Sequence, residues 1–193
     1  MELSDPAPRR LLHTRKIVCE GYVRDDGLWD IEASILDTKT YDYTEPYRGA
    51  RKAGSEVHDM RIRLTVDESL TVKNIEVAMP QTPYPICTQA AEKFRQLIGL
   101  KIGGGWRAAV NQLVGGTNGC THVRELLGPI ATVAIQTVHG WAEDNPPVNR
   151  PGVRRPLIDA SRKPGFIDGC YAWSAQRQVV ADLYPDYAVK PSE

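Results

Sequence analysis

The chain has 193 residues, and 24 Lys and Arg balance 24 Asp and Glu, so the formal net charge is zero. That balance argues against a general nucleic-acid binder, which carries a basic excess to neutralise phosphates. No window approaches the roughly 20 apolar residues of a membrane span, and Met1 to Arg10 lacks the apolar stretch of a signal peptide. The expectation is a cytoplasmic protein with one α+β domain over residues 1–140 and a wrapping segment with a terminal hairpin over 141–193.

Residues 16–24 read as a strand, and Asp25-Asp26-Gly27 is a hairpin signal because Gly tolerates positive φ. From Leu28 to Thr38, Trp29, Ile31, Ala33 and Ile35 alternate with Asp30, Glu32 and Ser34, the period of a half-buried strand. Residues 40–55, rich in Tyr, Gly, Arg and Pro, read as a surface loop. The clearest strand is 57–66, with Met60, Ile62, Leu64 and Val66 on one face and Arg61, Arg63 and Thr65 on the other. His58 has the parity of the apolar face. Thr71 to Met79 returns as a fourth strand, so the sheet is expected to be an antiparallel meander.

The pattern then turns helical. Cys87, Ala90, Ala91, Phe94, Leu97 and Ile98 form one stripe, and Trp106, Ala109, Val110, Leu113 and Val114 a second. Val123, Leu126, Leu127, Ile130, Ala134 and Val138 form a third, interrupted by Pro129. Strands first and helices afterwards predict an α+β fold with about three helices on one face of the sheet. Residues 141–165 hold five prolines and read as a wrapping segment. Residues 167–173 and 178–184 read as a terminal hairpin docked on the main body.

The segment Gly115-Gly-Thr-Asn-Gly-Cys120-Thr-His122 carries the most chemistry. A glycine-rich loop delivers Cys120 to a helix start, where the positive end of the helix dipole favours a thiolate. His122 follows at two residues, and thiolate with imidazole is a usual ligand pair for zinc or iron. The competing interpretation is a small buried Cys120 with His122 packed beside Leu126. Cys87 also opens a helix, and His58 and Asp59 open a strand. If these entry points converge, Cys87, Cys120, His122 and either His58 or Asp59 make a four-ligand set; otherwise they are separate packed residues.

At the open end of the first hairpin, His13, Arg15 and Lys39 form a potential cationic cluster near Asp37, suited to a substrate carboxylate or phosphate. Cross-strand ion pairs of Arg15 or Lys39 with Asp37 are the simpler alternative, slightly favoured. Cys19 is expected in the core. Cys170 reaches the site only if the terminal hairpin covers it.

His58-Asp-Met-Arg-Ile-Arg-Leu-Thr-Val-Asp67, a second strand, then Cys87 and Cys120 each opening a helix, follow the order of the NifU and IscU iron–sulfur scaffold proteins, which residues 58–138 resemble. The resemblance implies a NifU-like core and a metal set in which Cys87 and Cys120 stand for two of the scaffold cysteines and His58 for another. Arg9-Arg-Leu-Leu-His-Thr-Arg15, Asp26-Gly-Leu-Trp-Asp-Ile-Glu32, Asp37-Thr-Lys39, Val57-His-Asp-Met60 and Gly119-Cys-Thr-His122 more closely resemble a bacterial family catalogued as domain of unknown function 2889. That resemblance implies an accessory protein of catabolic gene neighbourhoods, aromatic compounds among them.

The leading expectation is a small metalloenzyme of hydrolase or lyase type, holding a zinc or iron ion and acting on an anionic small molecule. An iron–sulfur or sulfur-transfer scaffold and a non-catalytic accessory subunit are the alternatives. The expected partners are that substrate and a second copy of the chain or a partner enzyme, with neither nucleic acid nor membrane.

Overall fold

The computed structural model describes residues 3–144 and 163–189. Two compact units divide the chain, Met1–Gly152 and Val153–Glu193.

The first unit is built on four long antiparallel strands in the order β1-β2-β5-β6. These are β1 (His13–Val23), β2 (Trp29–Lys39), β5 (Glu56–Val66) and β6 (Val72–Gln81). The β1–β2 ladder runs unbroken from His13 opposite Lys39 to Val23 opposite Trp29. Its turn is closed by Gly27, at φ 83°. The Gly27 N–H donates to the Arg24 carbonyl at 3.1 Å.

Residues 40–55 are not a plain loop. They hold a small separate hairpin, β3 (Tyr43–Glu45) and β4 (Gly49–Arg51). Arg48 pins it by pairing with Glu45 and donating to the Val57 carbonyl at 3.0 Å.

Period-two alternation puts Trp29, Ile31, Ala33 and Ile35 on the same face as Met60, Ile62, Leu64 and Val66, and all eight are buried. Onto this face pack a 3-10 helix (Pro85–Leu97), α1 (Trp106–Val114) and α2 (Thr121–Asp144). The first helical stripe winds with three residues per turn rather than 3.6. Its buried side chains, Phe94 and Leu97, are therefore spaced by three. From α1, the Trp106 indole N–H donates to the Leu127 carbonyl of α2 at 3.0 Å.

At Gly21 the sheet and α2 approach closely: a Cβ there would lie 1.9 Å from Thr137 Oγ1. The observed class is the expected α+β fold, a four-stranded antiparallel sheet covered on one face by helices. No helix among the described residues is long and apolar enough to cross a membrane.

The second unit corrects the expected terminal hairpin. Its described residues contain no strand; residues 167–173 form turns, and 178–183 form α3 (Gln178–Leu183). Asp168 sits at φ 66°, and its carboxylate accepts the Ala175 N–H at 2.9 Å, closing a tight loop where a strand would need extension. Val180 and Tyr184, four apart, pack with Phe166 and Trp173 around Ile167 and Ala175, which is helical rather than strand spacing. Cys170 is exposed. Most of the proline-rich wrapping segment, residues 145–162, lies outside the described residues.

Candidate functional site

β2 ends its buried series in a charged residue. Asp37 continues the parity of Ile31, Ala33 and Ile35, so its side chain enters the helix-covered face, where its exposure is 0%. A buried carboxylate needs compensation of its charge and its lone pairs. Four N–H groups supply it. Arg15, across β1, donates from Nε to Oδ1 at 2.8 Å and from Nη2 to Oδ2 at 2.7 Å. His13 Nε2 lies 3.3 Å from Oδ1, and His58 Nδ1 lies 2.9 Å from Oδ2. The four contacts fill the lone-pair capacity of a carboxylate. Burial alone would raise the Asp37 carboxyl, but the Arg15 guanidinium and the two imidazoles outweigh it and hold it at about 2.

His58 is delivered by β5, directly opposite Asp37 in the ladder. Its ring stacks on that of His122 from the first turn of α2, with centroids 3.7 Å apart and planes at 29°. Burial pushes the His58 imidazole down, assisted by His122 and opposed by Asp37. Burial, with the charge of Arg15, pushes His122 down as well. Two neutral rings can stack without repulsion and leave lone pairs free.

Cys120 stands immediately before α2, its carbonyl accepting the Arg124 N–H at 2.9 Å. The preceding Gly119 is required by close approach, since a Cβ there would sit 2.5 Å from the Val114 carbonyl oxygen. The Cys120 Sγ lies 4.0 Å from His122 Nδ1. One ligand atom each from Asp37, His58 and His122 lies within 4.8 Å of the others.

The structure thus brings together His58 and His122 at Asp37, with His13 and Arg15 behind it; Cys120 approaches His122 alone and stands outside the Asp37–His58–His122 ligand cluster. Three of the expected residues go elsewhere. Asp59 faces the other side of the sheet, where it pairs with Arg61 at 2.8 Å; consecutive strand residues point to opposite faces, so only one of His58 and Asp59 could join. Cys87 lies in the 3-10 helix, half-buried, and belongs to no ligand cluster found among the described residues. Lys39 does not join the cationic cluster; its Nζ sits over the Tyr43 ring at 4.2 Å.

The cationic cluster is instead consumed by a buried ion pair, with Arg15 also reaching Glu125 of α2 at 2.5 Å. Asp37 itself was readable only as an ion-pair partner. The signal for more was its place in the apolar series, since a carboxylate at a buried parity must be solvated by the protein.

A family model described as "Protein of unknown function (DUF2889)" matches residues 13–136. No curated protein matches, and no solved structure does.

Proposed function

Since the chain belongs to the DUF2889 family, we propose its function from its own residues: it is a metal-binding protein whose site is formed by His58, His122 and Cys120, with Asp37 behind them. The observation that carries this is the stacked, neutral His58–His122 pair, brought from a strand and a helix into one half-buried place. Asp37 supports the ligands from behind, because its lone pairs are already taken and its hydrogen bond orients His58. A carboxylate fixing a ligating imidazole through its other ring nitrogen is a common support in metal sites. Ideal tetrahedral zinc would put thiolate sulfur and imidazole nitrogen about 3.6 Å apart. The Cys120–His122 separation of 4.0 Å is close enough for a small side-chain rotation.

Two imidazoles and one thiolate leave a fourth position open, and a zinc or iron ion held there would supply Lewis acidity to a bound water or carbonyl. Hydrolase or lyase chemistry on an anionic small molecule follows from that open position. Elemental mass spectrometry on protein purified without chelator tests the site. Near-stoichiometric metal, lost in both His58→Ala and His122→Ala, is expected; equal metal in wild type and variants overturns it.

A second reading has its own support. Cys120 at the start of α2, beside His122 Nδ1, is also the arrangement of an activated thiol. Rapid alkylation of Cys120 in metal-free protein, slowed in His122→Ala, favours that reading. The iron–sulfur scaffold alternative would call on Cys87 and Cys120 together and draws only on the order of the elements.

A further inference from the structure

β1 forms one edge of the sheet, and among the described residues no strand pairs with its outer side. It runs eleven residues, carries no proline and pairs with β2 without a bulge. The opposite edge is managed differently. β6 contains Pro80, and its first residue is engaged by the chain after the 3-10 helix, where Val72 N–H donates to the Leu100 carbonyl at 2.9 Å. An open strand of this length presents a row of unpaired backbone groups, which proteins normally cover, shorten or interrupt. Its side chains are also apolar for a surface: Ile17 is 42% exposed, Val18 52% and Tyr22 45%.

The charges on β1 point to what covers it. On the outer face, Lys16 and Glu20 stand two residues either side of Val18. Among the described residues neither has an oppositely charged cross-strand neighbour. Glu20 faces Glu32, whose carboxylate is already taken by Arg63 at 2.7 Å, and Lys16 faces Leu36. Like charges directly opposite are unfavourable in a ladder. The Tyr22 hydroxyl donates to Glu20 at 3.0 Å, but across the ladder Glu20 meets no cation and Lys16 no anion.

A second β1 laid antiparallel, with Val18 opposite Val18, satisfies both at once. It sets each Lys16 across from the Glu20 of the other copy, and each Ile17 across from a Cys19. A groove of about 540 Å³ continues the same edge onto the helix side, lined by Gly21, Val23, Thr137 and Trp141 among others. In this register it lies beside the start of the other copy's β1, preceded by the exposed Leu11 and Leu12.

We infer that two copies of this chain join through β1, antiparallel about Val18, to make one continuous sheet with the Lys16–Glu20 pair repeated on both sides of the twofold axis. Such an interface is isologous: the same patch serves both partners. This goes beyond the metal-site reading and does not depend on it.

Charge reversal tests it without disturbing the core, because Lys16 and Glu20 lie on the exposed strand face. The full chain is measured by sedimentation velocity at several micromolar concentrations. Wild type is expected to be a dimer. Lys16→Glu places two acidic side chains across each contact and Glu20→Lys places two basic ones. Each is expected to weaken the dimer by more than about tenfold. Mixing the two singly reversed proteins restores opposite charges at both contacts, so a heterodimer is expected from two chains that do not dimerise alone. The double reversal in one chain is expected to dimerise like wild type. A monomeric wild type overturns the inference. So does a dimer that both single reversals leave intact, which would place the contact on another face.

Discussion

Asp37 and His58 stand opposite each other on adjacent strands, with Oδ2 2.9 Å from Nδ1. Because the carboxylate is held ionised, it can only accept, so His58 donates from Nδ1 and keeps the lone pair of Nε2 free. A sheet register thereby sets a histidine tautomer, and the tautomer leaves Nε2 as the nitrogen with a lone pair to offer.

Asp37→Asn keeps the shape of this contact and removes its charge. Metal affinity is expected to fall by roughly 10–100-fold, the usual effect of losing such a supporting carboxylate. Competition against a chromophoric chelator measures it. Unchanged affinity would show that Asp37 serves only the ion pair with Arg15.

Arg15→Ala probes the electrostatics. The guanidinium charge lies near both imidazoles and works against their protonation. Without it, the titration midpoints of His58 and His122 are expected to rise, followed by proton NMR of metal-free protein. Static or falling midpoints would mean that burial alone sets them.

Asp67 governs part of the acid response. Burial at the β5–β6 turn would raise its carboxyl, but Lys73, the Ser69 hydroxyl and the backbone N–H groups of Ser69 and Thr71 hold it at about 2. A depressed carboxyl stabilises the fold above its unfolded value, and that contribution is lost as pH falls through about 2. The amount is up to about 2 kcal/mol for a side chain only 24% exposed. Asp67→Asn is expected to lower stability near neutral pH and to flatten its decline between about pH 4 and 2, read by urea unfolding.

The 3-10 helix makes a sharp contrast between two residues of one segment. Phe94 is fully buried in the core, whereas Ile86 is 68% exposed. Phe94→Ala is expected to cost about 3–5 kcal/mol and Ile86→Ala within about 0.5 kcal/mol, by chemical denaturation. Similar losses at both would mean that the segment packs differently.

β2 and β5 were readable because each has one wetter and one dry face, which writes a period of two into its sequence. The same rule placed His58 on the helix side and should have excluded Asp59. Besides the small β3–β4 hairpin, two kinds of feature escaped. One was Asp37, whose charge masked its membership of the Trp29–Ile35 series. The other was α3, where Val179, Val180 and Tyr184 occupy too short a run for periodicity to separate strand from helix. The convergence of His58 and His122 depends on how α2 crosses the sheet, which no local spacing encodes. Cys87 shows the converse: a helix-entry position identical in kind to that of Cys120, but delivered by a segment packed elsewhere.

The missing side chain at Gly21 has a reach beyond its own neighbourhood. Thr137 rests where a Cβ would be, fifteen residues along α2 from His122, about 22 Å at the helical rise. A single methyl group there would act on α2 as a shim under one end of a beam, tilting the other end with its imidazole. Gly21→Ala must therefore displace Thr137 or α2, and the His58–His122 spacing would read out whether the helix carries that shift to its other end.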